Sequence, residues 1–221
     1  MARPTAPPPS SRDRLLAAAR EEFAARGFDG AKVDRIAARA RVNKAMLYYH
    51  FQNKAALYRE ILRELFHGVA QGVTAARQQG GTPEDQLRRF VETIARDGIA
   101  RPHFPAIWLR EMADGGRHLD ASIVGEIRRV LTVLTAILAE GERAGRFRPS
   151  HPFVTHMGIV APLLLFAASA PLRSRFGRIG PASINVPPEF LIAHVQNATL
   201  TALASDGPAI GRQRAASRTR R

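Results

Sequence analysis

The 221-residue chain contains no cysteine, which excludes disulfide bridges and metal sites built on thiolates. It also has no long apolar run and no segment that alternates apolar and polar residues as a strand does. The most apolar stretch, residues 158–172, contains Pro162 and Pro171 and falls short of the ~20 residues that a membrane helix needs. We therefore expect an all-α protein without a membrane partner, in which this stretch is a core or subunit-interface helix.

Lysine is scarce as well, at three of 33 basic residues, yet the formal net charge is +14. All three lysines, Lys32, Lys44 and Lys54, fall within one 23-residue segment. Positive charge is concentrated at both ends of the chain, with net +6 over residues 1–60 and net +4 over the last 16 residues. This distribution predicts a polyanionic partner for the terminal regions.

Pro-rich residues 1–10 predict a disordered N-terminal arm and lack the apolar run of a signal peptide, so we expect a cytoplasmic protein. Residues 206–221 predict a basic, disordered tail. Between them we expect a helix-turn-helix domain over 11–58 and a larger helical domain over 59–205. Apolar periodicity predicts helices over 120–144, 153–170 and 190–204, and a loop over 173–188.

The segment from Lys32 to Lys54 combines two short helical patterns with a tight break between them. Val33, Ile36 and Ala40 form one apolar stripe, and Asn43 is placed to cap a second helix. Two helices of about eight residues cannot stand alone, so they need the helix predicted over 12–26, which Gly27 is expected to end. This arrangement is that of a helix-turn-helix.

The run from Gly27 to Leu57, GFDGAKVDRIAARARVNKAMLYYHFQNKAAL, resembles the signature of the TetR/AcrR family of transcriptional repressors. The resemblance implies an N-terminal three-helix helix-turn-helix DNA-binding domain and a C-terminal helical ligand-binding and dimerisation domain. It also implies a homodimer formed through the last two helices, which binds a palindromic double-stranded DNA operator and is released by a small-molecule effector.

The exposed side of the second short helix supplies the candidate DNA contacts. Lys44 can donate to guanine O6 or N7, or to a phosphate, although an ordinary exposed lysine has the same pattern. The resemblance implies phosphate contacts for Tyr48, Tyr49 and His50, and Met46 either touches a thymine methyl group or covers apolar surface. The full candidate set is Lys32, Arg41, Asn43, Lys44, Ala45, Met46, Tyr48, Tyr49, His50 and Lys54.

The sequence departs from the family pattern at two places. Ala31 and Lys32 stand where two threonines are common, so the second helix lacks a hydroxyl cap unless Asp29 or water replaces it. Arg41 stands where the turn glycine is common, and a positive φ there would be strained. Both Lys32 and Arg41 can contact a phosphate instead.

No HExxH, GxSxG or P-loop motif is present, and the histidines have no metal-ligand spacing, so we predict neither an enzyme nor a bound metal or cofactor. The resemblance implies an effector cavity, with candidate lining residues Phe90, Ile94, Phe104, Trp108 and Leu131 and with Arg110 as a polar contact. The alternative is a structural Arg110–Glu111 ion pair and purely structural aromatic residues.

Two other functions compete with a ligand-responsive repressor. An architectural DNA-binding protein would use the basic ends without sequence preference and would show a steep salt dependence. A small-molecule-binding or enzymatic helical protein with a vestigial helix-turn-helix would bind a ligand without any specific DNA site.

Overall fold

The computed structural model describes residues 8–176 and 186–205. Within these ranges the chain forms ten helices: α1 Ser11–Gly30, α2 Val33–Ala40, α3 Lys44–Phe51, α4 Lys54–Gln78, α5 Pro83–Ala100, α6 Phe104–Ala113, α7 Ala121–Arg143, α8 Pro152–Ala168, α9 Ala170–Phe176 and α10 Pro188–Leu203. The described ranges contain no strand, only an antiparallel bridge between Phe147 and Ala204. The predicted all-α fold is confirmed.

Local capping explains where several helices begin. Ser10 and Asp13 form a capping box at the start of α1, and Thr82 and Asp85 form another at α5. Asn53 caps α4 by accepting a hydrogen bond from the backbone N–H of Ala56. These side chains satisfy N–H groups that a helix start leaves without partners.

Gly27 interrupts α1 without ending it. Its φ of 69° lies outside the helical range, yet the chain is helical again from Phe28 to Gly30. The Arg110 side chain also packs close to it, since a Cβ added at Gly27 would lie 3.3 Å from Arg110 Cδ. Glycine is therefore favoured by both the backbone conformation and the close approach.

The buried residues form two clusters. The first joins α1, α2 and α3 to the first half of α4 and includes Ile107 of α6 and Ile123 of α7. The second fills the space among α4, α5, α7, α8 and α10. We call α1 to α3 the head and α5 to α10 the body; α4 belongs to both, so the boundary predicted after residue 58 falls inside a continuous helix.

The predicted loop over 173–188 is wrong at both edges, because α9 continues to Phe176 and α10 already begins at Pro188. Proline at a first helical position lacks only an N–H that has no helical partner, which explains the start of α10. The tail predicted over 206–221, and residues 1–7 of the predicted arm, lie outside the described residues.

Candidate nucleic-acid interface

The turn between α2 and α3 is built on a left-handed residue. Arg41 has φ 53° and ψ 47°, the positive φ expected where the family has glycine. The backbone N–H groups of Arg41 and Val42 donate to the carbonyls of Ala38 and Ala37, at 3.1 Å each, and close the end of α2. Val42 then packs against the head core. These hydrogen bonds offset the strain of a non-glycine residue at this position.

Asn43 caps α3, as predicted, by accepting a hydrogen bond from the backbone N–H of Ala45 at 2.9 Å. Leu47 and Phe51 are buried, which fixes the opposite face of α3 toward solvent. On that face Tyr48 is 47% exposed and Tyr49 is 79% exposed. Such exposure of large aromatic side chains suits contact with a partner.

Two candidate residues of α3 have internal contacts. Met46 is partly buried and packs against the head core, so it covers apolar surface. His50 is half-buried, with Nε2 at 2.8 Å from Ser11 Oγ and its ring at 5.1 Å from the Tyr49 ring. The His50 side chain therefore links the end of α3 to the start of α1.

The remaining candidates on α2, the turn and the start of α3 are exposed: Lys32, Arg41, Asn43, Lys44 and Ala45. The Lys44 ammonium lies 2.7 Å from the Asp34 carboxylate in the first turn of α2. Hydrogen bonding to Asp34 raises the pKa of Lys44, so this side chain is fully charged. The sequence patterns did not predict this pair.

Lys54 is oriented differently from the prediction. Its Nζ donates to the carbonyl oxygens of Phe28 at 2.9 Å and Ala31 at 3.1 Å and lies 4.4 Å from the centroid of the Phe28 ring. The ammonium thus holds the turn between α1 and α2 to the start of α4. It is directed into the protein and not toward the surface that a phosphate would approach.

Glu22 is a buried residue that the sequence patterns missed. Its Oε1 accepts hydrogen bonds from Arg35 Nε at 2.6 Å and from the backbone N–H of Lys32 at 3.4 Å. Burial by itself would raise the pKa of Glu22, but the hydrogen bonds from Arg35 and Lys32 outweigh it and the pKa is lowered. A signal existed, because Glu22 stands at i+7 from Leu15 and i+3 from Ala19, on the inner side of α1.

Glu22 also serves the start of α2, for which the sequence left Asp29 or water as possible substitutes for a hydroxyl cap. Lys32, the N-terminal flanking residue of α2, makes no side-chain cap. Asp29 does not substitute, because its carboxylate lies 2.5 Å from Arg117 Nη2 in the body. The helix start is therefore anchored from α1, and Asp29 connects the head to the body.

The turn between α6 and α7 packs against the head near the end of α1, through His118 on Phe28 and Arg117 on Asp29. Glu111 accepts hydrogen bonds from the backbone N–H of His118 at 2.7 Å, and its other carboxylate oxygen lies 2.9 Å from His118 Nδ1. The His118 ring packs on Phe28, with centroids 4.1 Å apart, and on Tyr58 at 4.9 Å. Burial, followed by the nearby Glu111 carboxylate, raises the pKa of Tyr58.

The candidate effector residues are divided between the two buried clusters, since Phe104 and Trp108 pack against the first and Phe90 and Ile94 belong with the second. Phe90 is fully buried in the body core, and Ile94 is partly buried against the same cluster. Leu131 is partly buried, and Trp108 packs edge-on against Phe66 at 4.8 Å. Their placement does not by itself define a cavity.

Arg110 does not face an apolar cavity, which corrects its predicted role as an effector contact. Its guanidinium donates to the carbonyls of Phe23, Ala24 and Ala25 near the end of α1. It acts there as a cationic cap for carbonyl groups that lack helical partners. The predicted ion pair with its neighbour Glu111 is also replaced by the His118 contacts.

A cleft of about 420 Å³ lies where the head meets the body. Phe104 lines it, whereas the other five candidates do not. Its walls come from α1, α4 and the α5–α6 junction: Ala17, Arg20, Glu21, Glu64, Leu65, Ala100, Arg101, Pro102, His103, Phe104 and Ile107. Its volume falls within the range of small-molecule sites.

Over 8–176 and 186–205, no three His, Asp or Glu side chains are grouped as metal ligands. No single helix in those ranges is long and apolar enough to cross a membrane, although α8 and α9, bent by 53°, meet the length and composition together.

The capped α2–turn–α3 unit, supported by α1 and joined to a helical body, defines a helix-turn-helix regulatory protein. A family model described as "Bacterial regulatory proteins, tetR family" matches residues 15–61, and one described as "Tetracyclin repressor-like, C-terminal domain" matches residues 80–163. The chain belongs to the TetR family of bacterial transcriptional regulators.

The similar proteins include transcriptional repressors and a transcriptional activator. The HTH-type transcriptional repressor NicS of Pseudomonas putida is 30% identical over 143 residues, which is 62% of this chain and 66% of NicS. The HTH-type transcriptional regulator RutR of Escherichia coli is 25% identical over 62% of this chain and 65% of RutR. The HTH-type transcriptional activator FasR of Mycolicibacterium smegmatis is 39% identical over 38% of each chain. The matches to NicS and RutR thus span slightly less than two thirds of those proteins.

Solved structures share the fold. A TetR-family regulatory protein from Rhodococcus RHA1 has a TM-score of 0.70 at 22% identity, covering 89% of this chain and 98% of that one. The fatty acid degradation regulator FadR from Bacillus halodurans has a TM-score of 0.68 at 17% identity, covering 88% and 97%. At these identities the likeness concerns the fold.

Proposed function

We propose that this protein is a dimeric, ligand-responsive transcriptional repressor that reads a palindromic DNA operator with α3. The observation that carries the proposal is the solvent-facing side of α3, where Tyr48, Tyr49 and Lys44 are all exposed next to a capped helix start. A helix held in this way fits the major groove of B-form DNA.

The proposed contacts divide by chemistry. Lys44, at the first position of α3, reaches a guanine edge, and Ala45 beside it permits close approach to the bases. The tyrosine hydroxyls, Lys32 and Arg41 contact phosphates on either side of the groove. Asn43 contributes by fixing the start of α3. Lys54 is not included, since its ammonium is bound to the carbonyls of Phe28 and Ala31.

Dimerisation is proposed through α8 and α10. Both helices expose large apolar side chains in the single chain: Phe153, Val154, Met157, Leu165 and Phe190. An apolar surface of this kind is typical of a homodimer interface. A two-fold axis would place two copies of α3 in successive major grooves, which explains a palindromic operator.

The interface can be tested by placing a charge in it. Phe190 is 69% exposed in the chain, so Phe190→Glu leaves the core intact. We expect sedimentation velocity to give a dimer for the wild type and a monomer for this variant. Ile99→Glu is the matched control, because Ile99 is half exposed on α5 and should leave the dimer unchanged. Equal masses for the two variants would refute this interface.

Effector response is proposed to act through the cleft between head and body. A molecule bound there would touch α1 of the head and the α5–α6 junction of the body, and it would favour one head orientation. Linkage then requires that it weaken DNA binding by the factor by which DNA weakens effector binding. The lining combines apolar and charged side chains, which suits a small polar organic molecule.

Selection of bound fragments from random duplex DNA tests the central proposal. We expect the selected fragments to share an inverted repeat and Phe190→Glu to lose preference for it. Fragments without a common repeat, bound as tightly as bulk DNA, would favour the architectural alternative. Compounds that release the protein from the selected operator would then be screened, and Phe104→Ala should abolish the response to them.

A further inference from the structure

Asp34 is an unexpected residue on the proposed DNA-reading surface. It is the only acidic residue over positions 31–59, a range that carries seven basic residues. It lies in the first turn of α2 and is 71% exposed at its side chain. Its carboxylate oxygen lies 2.7 Å from the Lys44 ammonium at the start of α3. A negative charge here opposes the approach of a phosphate backbone.

The Asp34–Lys44 pair is compatible with a contact from Lys44 to a guanine edge but not with a contact from Lys44 to a phosphate. An ammonium group has three N–H donors, so it can keep Asp34 on one and direct the others to guanine O6 and N7. A move toward a phosphate instead separates the pair. It leaves the Asp34 carboxylate facing a polyanion without its cation. The geometry therefore favours a base edge over the backbone.

We propose that Asp34 is a specificity-determining residue that restrains Lys44 to base reading and disfavours its use as a phosphate contact on non-operator DNA. The inference rests on the proposed reading function of α3. Asp34 also stands where an acidic residue stabilises a helix start, which is a purely structural role. The two roles predict different salt dependences.

The salt dependence of DNA binding gives the expected size of the change in Asp34→Asn. Each phosphate contact on duplex DNA contributes about −0.9 to the slope of log K against log salt concentration, which corresponds to roughly fivefold in affinity at about 0.15 M salt. Asp34→Asn releases Lys44 to a phosphate. We expect it to bind a scrambled duplex about fivefold more tightly, with a slope steeper by about 0.9. Affinity for the selected operator should change less, so the specificity ratio falls.

The experiment measures fluorescence anisotropy of the full chain on the selected operator and on a scrambled duplex of equal length, over a series of salt concentrations. Glu92→Gln is the matched control, because it removes the same charge from an exposed pair of the same 2.7 Å length, Glu92–Arg96, on α5 of the body. The double variant Asp34→Asn/Lys44→Ala tests whether the gain passes through Lys44. Circular dichroism of Asp34→Asn reports any loss of α2 structure.

Support requires that Asp34→Asn steepen the slope on the scrambled duplex, that Glu92→Gln not do so, and that the double variant lose the gain. An unchanged slope, a change equal to that of Glu92→Gln, or a gain retained in the double variant would overturn the inference. Equal affinity of the wild type for both duplexes would instead count against operator reading. In that case the slopes on the scrambled duplex still decide whether Asp34 restrains Lys44.

Discussion

Replacing Glu111 with alanine is expected to destabilise the protein by about 2–6 kcal/mol, because two buried donors lose their acceptor. Glu111 is 1% exposed, and its two oxygens contact the backbone N–H and the ring of His118. Truncation leaves each of these groups buried without an acceptor, at a cost of about 1–3 kcal/mol each.

Urea unfolding monitored by circular dichroism near neutral pH measures this loss. Asp114→Ala is the matched control: this neighbouring carboxylate is exposed and lies 3.6 Å from Arg117, so its removal should change the free energy of unfolding by no more than about 0.5 kcal/mol. Glu111→Gln keeps the volume and one acceptor and should fall between the two.

Glu111→Ala should also raise the flexibility of the head. His118 packs on Phe28 in the turn between α1 and α2, so loss of its anchor should raise amide hydrogen exchange in that turn before it does so in the body core. A Glu111→Ala protein that loses less than about 1 kcal/mol, or whose exchange rises uniformly, would refute the assignment of this contact as the clamp between head and body.

Three further predictions concern DNA binding and pH. Lys44→Ala should weaken operator binding about 5- to 150-fold in a gel-shift titration and leave the sedimentation coefficient unchanged. Glu22→Gln should lower the free energy of unfolding by about 1 kcal/mol near neutral pH. Because the pKa of Glu22 is lowered in the folded protein, this difference should shrink as the pH falls below 4.5, and the urea midpoints of wild type and variant should converge. Burial lowers the pKa of His156, whose Nδ1 has no hydrogen-bond partner among residues 8–176 and 186–205. The wild type should therefore lose thermal stability as the pH falls through 6.5, whereas His156→Leu should not.

Features that depend on neighbours in the sequence were predictable. The caps at Ser10, Asn43 and Asn53 each bond to an N–H two or three residues away, so residue type and spacing suffice. The positive φ of Arg41 was raised only as a condition, from the glycine that the family has at this position. Boundaries failed where composition misled, as in the Gly- and Pro-rich segment before α10.

Features that depend on distant partners were not predictable. Lys54 bonds to carbonyls 26 and 23 positions away, and Arg110 bonds to carbonyls at least 85 positions away. The sequence placed both side chains on ligand or DNA surfaces because their type suits those surfaces. Nothing in the spacing of residues indicated that α6 would approach α1, and this approach determines where Arg110 points. Lys54 is directed instead by the packing of the start of α4 against the turn between α1 and α2.

These distant contacts converge on the turn between α1 and α2. Lys54 binds its carbonyls, Arg117 binds Asp29, and His118 packs on Phe28, so groups from α4 and the α6–α7 turn hold the same few residues. The start of α2 lies two residues beyond and is held from α1 by Glu22. In the effector response proposed above, a displacement of α6 would reach the turn and α2 together through these contacts and would rotate the head. In a dimer, rotation of each head changes the separation of the two α3 helices, and that separation must match one turn of DNA for both to bind.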